Sequence, residues 1–214
     1  MIVLGVTGSI GMGKSTVSNM LSEMGIPVHD ADATVHKLLA AGGKGVQPVA
    51  ALFPDSLAQD ANGQDMIDRA ALGKIVFADP AKKKQLEDIL HPMVRDDSAA
   101  FKAEMEKAGH KVIVFDIPLL FETGGESRVD AVLCVSAAAD VQKARVLARP
   151  GMTEERFKHV LSQQLPDAEK RARADYVVTT DISFDDTRAQ LKTVLEKIQP
   201  PRKPQVPPPA NGCH

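Results

Sequence analysis

Near the start of the chain, Gly8-Ser9-Ile10-Gly11-Met12-Gly13-Lys14-Ser15-Thr16 contains the spacing GxxxxGK[ST]. Each residue type in that pattern has a physical task. Gly8, Gly11 and Gly13 let the backbone turn tightly, so that its N–H groups point inward at phosphate oxygens. The N-terminus of a following helix adds positive dipole, Lys14 can reach β- and γ-phosphates, and the Ser15 hydroxyl can ligate Mg²⁺. The pattern predicts a cradle for a nucleoside triphosphate, gripped by Gly11, Met12, Gly13, Lys14, Ser15 and Thr16.

Other candidates follow. Asp30 and Asp32 stand just past a predicted strand, at the edge where open α/β sheets bind ligands. A carboxylate there can accept a proton from an attacking hydroxyl or hold Mg²⁺; Asp32 can equally cap the next helix. Asp116 ends an apolar strand, the place of a metal-site carboxylate in phosphate-loop enzymes, or is simply a turn aspartate before Pro118. Arg145 and Arg149 are four apart on one predicted helix face, with Arg156 beyond a Pro150-Gly151 break. They form either a solvated basic face or a closing lid that stabilises charge on a transferring phosphoryl group; the adjacent break favours the lid. His91, before Pro92, has no His, Cys or Asp cluster around it and reads as a packed or helix-capping residue rather than a metal ligand, unless it touches substrate.

These residues need elements to position them. Ile2-Val3-Leu4-Gly5-Val6 suits a buried parallel strand, and Val17, Met20, Leu21 and Met24 lie on one face of a helix that Gly25 can end. Ile26-Pro27-Val28 reads as a second strand, 111–116 and 129–135 as two more, and Tyr176-Val177-Val178 as the last. Helices are expected at Val35–Leu39, at Val141–Arg149, from Thr153-Glu154-Glu155-Arg156 onward and through Leu191, Val194, Leu195 and Ile198. Between Gly43 and about His110 the pattern is helical with one polar turn at 59–63, no strand is expected, and Pro92 should kink a helix or begin one. Strands alternating with helices imply an α/β fold, a doubly wound parallel five-stranded sheet with a helical insertion.

Composition sets limits. A length of 214 residues fits one α/β domain carrying a smaller one, and 43% apolar residues can build its core. A net charge of −2 and a single Tyr give neither the basic excess nor the stacking platform of a nucleic-acid binder. Cys134 and Cys213 suggest no disulfide framework or metal knuckle. The longest uncharged apolar run, 131–139, is too short for a bilayer, and the strand-like N-terminus is not a signal peptide, so a cytoplasmic protein without membrane contact is expected. Prolines crowd the segment after Gln199, which has no packing face.

Taken together, Val6–Thr16, Asp30-Ala31-Asp32, His91-Pro92-Met93-Val94 and Asp116-Ile117-Pro118-Leu119-Leu120-Phe121-Glu122 resemble the dephospho-CoA kinase family. The similarity continues through Gln142, Arg145, Arg149, Gln164 and Ala174-Asp175-Tyr176-Val177, over about residues 1–198. The phosphate loop is shared by many enzymes; the other segments in this order are specific. The resemblance implies a phosphate-loop kinase core at 1–30 and 111–198, with a small helical lid at about 145–165. It implies a helical CoA-binding insertion at 31–110, and leaves 199–214 as a disordered, dispensable tail. It implies transfer of the γ-phosphoryl of ATP, with Mg²⁺, to the ribose 3′-hydroxyl of dephospho-CoA, by a monomer. By that match Asp32 is the candidate base, and Lys14, Arg145 and Arg149 hold ATP and the transferring group. His91, Asp116 and Leu119 would line the acceptor side, while Ser15, and Asp116 through water, would serve Mg²⁺. Ser9 replaces a common glycine, with its side chain expected to point outward, and Thr179-Thr180-Asp181 stands where an Asn-containing turn is frequent. Another small-molecule kinase of the same fold, such as a nucleoside monophosphate or shikimate type, remains the alternative, though the long insertion favours a bulky acceptor. A GTP-dependent switch is weaker: Asp60-Ala61-Asn62-Gly63 matches DxxG but lies in a polar turn, and no Asn-Lys-x-Asp string exists.

Overall fold

In a computed structural model, residues 1–77 and 79–198 are described; the tail reading, 199–214, lies outside them. From the N-terminus the elements are β1 (Ile2–Thr7), α1 (Lys14–Glu23), β2 (Val28–Asp30), α2 (Ala31–Leu39), α3 (Val46–Leu52), β3 (Leu57–Gln59), β4 (Asp65–Ile67), α4 (Arg69–Phe77) and α5 (Pro80–Lys107). There follow β5 (Val112–Asp116), β6 (Ala131–Ser136), α6 (Ala139–Leu147), α7 (Glu154–Ser162), α8 (Asp167–Arg173), β7 (Tyr176–Thr179) and α9 (Phe184–Lys197).

Chain contacts define two units, one of Met1–Val28 with the described residues from Gly109 onward, the other His29–Ala108. The first is built on a five-stranded sheet ordered β2-β5-β1-β6-β7. β1 pairs in parallel with β5, Val6 opposite Asp116, and with β6, Thr7 opposite Cys134. β6 pairs in parallel with β7, Ser136 opposite Thr179. The C-terminal ends of β1, β5, β6 and β7 therefore line one edge of the sheet. Strand order reverses on either side of β1, which puts the loop after β1 at the switch point of the sheet. Aliphatic side chains hold it together: Leu4, Val6, Val114, Leu133, Val135 and Val178 pack with Val17 and Leu21 of α1 and with Leu191 and Val194 of α9. Asp130 and Asp175, each just ahead of a strand, accept the N–H groups of Val3 (2.8 Å) and Val132 (2.9 Å) and fix the register at the other edge.

The second unit packs Leu39, Val46, Val49, Phe53, Ile67, Leu72 and Leu90 into its own core. Here the expectation of an all-helical segment fails. β3 and β4 pair antiparallel, Ala58 opposite Met66, across the polar turn. Asp60 makes that turn: its Oδ1 accepts from the N–H groups of Asn62 and Gln64, both at 2.9 Å. The DxxG string is thus a hairpin turn, its carboxyl held below the usual range by those backbone donors. Nor does Pro92 begin a helix, since α5 runs on through it. α5 starts instead at Asp79, whose side chain accepts from the N–H groups of Ala81 and Lys82 ahead of Pro80. Among the described residues no helix is long and apolar enough to cross a membrane.

Candidate active site

The loop after β1 turns through two left-handed glycines, Gly11 (φ 78°) and Gly13 (φ 86°), the second serving as N-cap of α1. A side chain would not fit at Gly11, where a Cβ would stand 2.5 Å from Val146 Cγ2. No side chain caps α1 and its first turn holds no acid, so its leading N–H groups and dipole are available to an anion. Ser9 departs from expectation. It is buried, 4% exposed, rather than pointing outward, and its carbonyl accepts from Met12 N–H at 3.1 Å.

Lys14 and Asp116 meet at the sheet edge. The Lys14 ammonium pairs with Asp116 Oδ1, and Ser18 Oγ donates to Oδ2 at 2.6 Å. Asp116 is buried, so the turn-aspartate reading gives way to a charged partner of the phosphate-loop lysine. Ser15 is exposed on the first turn of α1. Among the described residues no group of three or more His, Cys, Asp or Glu could by itself hold a metal ion. This donor set fits Mg²⁺, which takes one or two protein oxygens, keeps several waters and completes its shell with substrate phosphates.

Three further side chains shape the loop from outside. Gln164 Oε1 accepts the Ile10 N–H at 3.0 Å, Gln142 Nε2 donates to the Ile10 carbonyl at 2.7 Å, and Thr180 Oγ1 donates to the Met12 carbonyl at 2.7 Å. Arg145, on α6, donates from Nη1 to Thr180 Oγ1 (2.8 Å) and from Nη2 to the Thr180 carbonyl (2.6 Å). It is no solvated basic face. Arg149 is different, because α6 ends at Leu147. Arg149 stands exposed beyond the C-cap Ala148, in the turn before Pro150 rather than on the same helix face. Thr153 caps α7 by accepting from Arg156 N–H, as its sequence suggests.

Leu119 is half-buried in the turn after β5, whose anchoring the sequence did not disclose. The Pro118 carbonyl accepts from Thr7 Oγ1 (3.1 Å) and from the Lys170 ammonium (3.3 Å). Lys170, on α8, is fully buried and pairs with Glu122 Oε1 at 2.8 Å, an oxygen that also accepts Leu165 N–H at 2.7 Å. Burial pushes the Glu122 carboxyl up, but Lys170 and the backbone donors outweigh it and hold the group below the usual range. Because α8 reads as a polar stretch, only the buried lysine could have revealed this pair, and burial is not visible in residue types. Beside it, burial pushes the thiol of the buried Cys134 up to about 12, which disfavours its reactive thiolate form.

In the second unit the capping reading moves by two residues. Asp30, not Asp32, is the N-cap of α2, accepting Ala33 N–H at 3.0 Å; Asp32 lies in the first helical turn. The start of α2 is held to α5 by buried His29, whose Nε2 lies 2.8 Å from Asp97 Oδ2 and whose ring stands 5.4 Å from that of Phe101. Thr34 Oγ1 also donates to Asp97, at 3.1 Å. The His29 and Thr34 hydrogen bonds draw the Asp97 carboxyl below its ordinary range against a smaller effect of burial. His91 is neither packed nor capping: it is exposed, well inside α5.

A switch-point glycine loop, a lysine paired to a strand-end aspartate and an arginine behind the loop define a phosphate-loop kinase. The family model for dephospho-CoA kinase (CoaE) matches residues 2–186. A dephospho-CoA kinase of Brucella melitensis is 50% identical over 195 residues, covering 91% of this chain and 94% of its own. One from Mesorhizobium japonicum is 48% identical over 199 residues, covering 93% and 98%. Among solved structures, a Thermus thermophilus protein superposes with a TM-score of 0.76 at 36% identity, covering 92% of this chain and 98% of its own. A dephospho-CoA kinase from Campylobacter jejuni gives 0.67 at 28% identity, with 91% and 96% covered. The chain belongs to the dephospho-CoA kinase family.

Proposed function

We propose that this chain transfers the γ-phosphoryl group of ATP to the ribose 3′-hydroxyl of dephospho-CoA, the step that yields coenzyme A. Membership of the family across residues 2–186 carries the reading, and the phosphate loop with Lys14 supplies its chemistry. The amides of Gly11, Met12, Gly13, Ser15 and Thr16 cradle the ATP phosphates, and Lys14 leaves Asp116 in part to neutralise β- and γ-oxygens. Ser15, and Asp116 through water, would hold Mg²⁺, which would supply neutralisation of phosphate charge. Arg145 stabilises charge on the group in transit, and Arg149 contributes from the 145–165 segment as it closes. Asp32 accepts the proton of the attacking 3′-hydroxyl or orients it, which a loose phosphoryl transition state permits equally. The acceptor is assigned to the 31–110 segment, with His91, Asp116 and Leu119 as the residues expected to contact it. One copy carries every assigned residue, so the reading requires only a monomer, working in the cytoplasm where ATP is made available. A coupled ADP-release assay with dephospho-CoA, AMP, adenosine and shikimate as rival acceptors tests it. ADP release above the water background with dephospho-CoA alone is expected; preference for any rival overturns it.

A further inference from the structure

Thr180 follows β7 directly, and its N–H donates to the carbonyl of Ser136, the last residue of β6, at 3.0 Å. It is buried, 8% exposed, and so is held by the sheet rather than by solvent. Its hydroxyl is used twice. The proton goes to the Met12 carbonyl at 2.7 Å, and a lone pair takes Arg145 Nη1 at 2.8 Å. A hydroxyl has one proton to give and two lone pairs, so one oxygen here links the phosphate loop to the arginine. The Thr180 carbonyl adds Arg145 Nη2 at 2.6 Å, so both arms of the guanidinium fork are engaged and its plane is fixed. With two of its five N–H donors spent this way, three remain for oxygens of a ligand. Loop and threonine are also in direct packing contact: a Cβ on Gly13 would come 2.8 Å from Thr180 Oγ1.

We infer that Thr180 is a positioning residue for phosphoryl transfer, its hydroxyl setting the Met12 peptide of the loop and the aim of Arg145 together. The inference rests on the role given to Arg145 above. In this role Thr180 acts through the Met12 peptide and Arg145, the two groups its hydroxyl holds. Four proteins test it: Thr180→Val, which removes the hydroxyl and keeps the shape; Thr180→Ser, which keeps the hydroxyl; Arg145→Ala; and Arg145→Ala combined with Thr180→Val. Misaiming a charged group costs on the order of tenfold to a hundredfold, so Thr180→Val is expected to lower kcat by at least about tenfold while KM for ATP moves less than about threefold. Thr180→Ser should restore the rate to within about threefold of the unaltered protein, and in the Arg145→Ala background Thr180→Val should cost several-fold less than in the unaltered protein, the remainder being its effect on the Met12 peptide. An equal loss in both backgrounds, failure of serine to rescue, or a rise in KM with kcat unchanged overturns the inference. Should Thr180→Val not fold by circular dichroism, Thr180→Ala takes its place in the same cycle. If the unaltered protein is silent with dephospho-CoA, the proposed function falls first, and the cycle is read on whichever acceptor, water included, supports ADP release.

Discussion

Replacing Lys170 with Met retains the length of a fully buried side chain and removes its charge. What remains is the Glu122 carboxylate, with only 16% of its side chain exposed, still accepting Leu165 N–H but without its cation. Breaking a buried pair from one side costs about 3–5 kcal/mol, and the residual exposure and backbone donor at Glu122 bring the expected loss to about 2–4 kcal/mol. For a chain of this size that corresponds to roughly 5–15 °C in melting temperature. The pH dependence gives a second reading. Glu122 is held below its ordinary range when folded, so its stabilising effect is present above the unfolded glutamate value and is lost as pH falls through the lower folded one. In Lys170→Met the lysine's contribution is gone and burial is opposed only by the backbone donors, so the folded carboxyl rises and protonation on acidification relieves part of the penalty. The gap in stability between the two proteins should therefore narrow as pH falls below the glutamate range. Urea unfolding from pH 7 to pH 4 measures it, with Glu122→Gln added to Lys170→Met as the partner variant that regains part of the loss. A gap under about 1 kcal/mol at pH 7, or one that stays constant with pH, refutes the reasoning.

Other substitutions probe the loop and the proposed base. Lys14→Ala removes an electrostatic clamp of about 3 kcal/mol in the transition state, so kcat should fall on the order of a hundredfold, and near-normal turnover would contradict its role. Gly11→Ala meets both a left-handed φ of 78° and Val146 Cγ2 at 2.5 Å, so nucleotide affinity measured by calorimetry should fall at least about tenfold. Unchanged affinity would show that the loop adapts. Asp32→Asn should depress kcat far more than ATP affinity; equal losses in both would make it a structural residue of α2 instead.

Much of the fold was legible because it is written locally. The β-branched runs of β1, β5 and β6 and the glycine spacing of the loop mark their own structure, and Thr153 announces the start of α7. What escaped depends on distance or burial. β3 and β4 are three residues each and form only by pairing across the Asp60 turn, so neither run stands out alone. The Asp116 partner of Lys14 lies on a strand 102 residues away, and only the sheet register brings the two together. The same holds for Thr180, which looks like a turn residue until the end of β7 is placed behind the loop. Asp32 is the cap that the sequence offers, and α2 starts early enough that Asp30 caps it instead.

The most direct measurement of the central claim is ³¹P NMR of the product formed from ATP and dephospho-CoA. A new 3′-phosphomonoester resonance, appearing in step with ADP and about a hundredfold more slowly with Lys14→Ala, is the expected result. ADP without that resonance, or phosphate carried to any other position of the acceptor, would contradict the account.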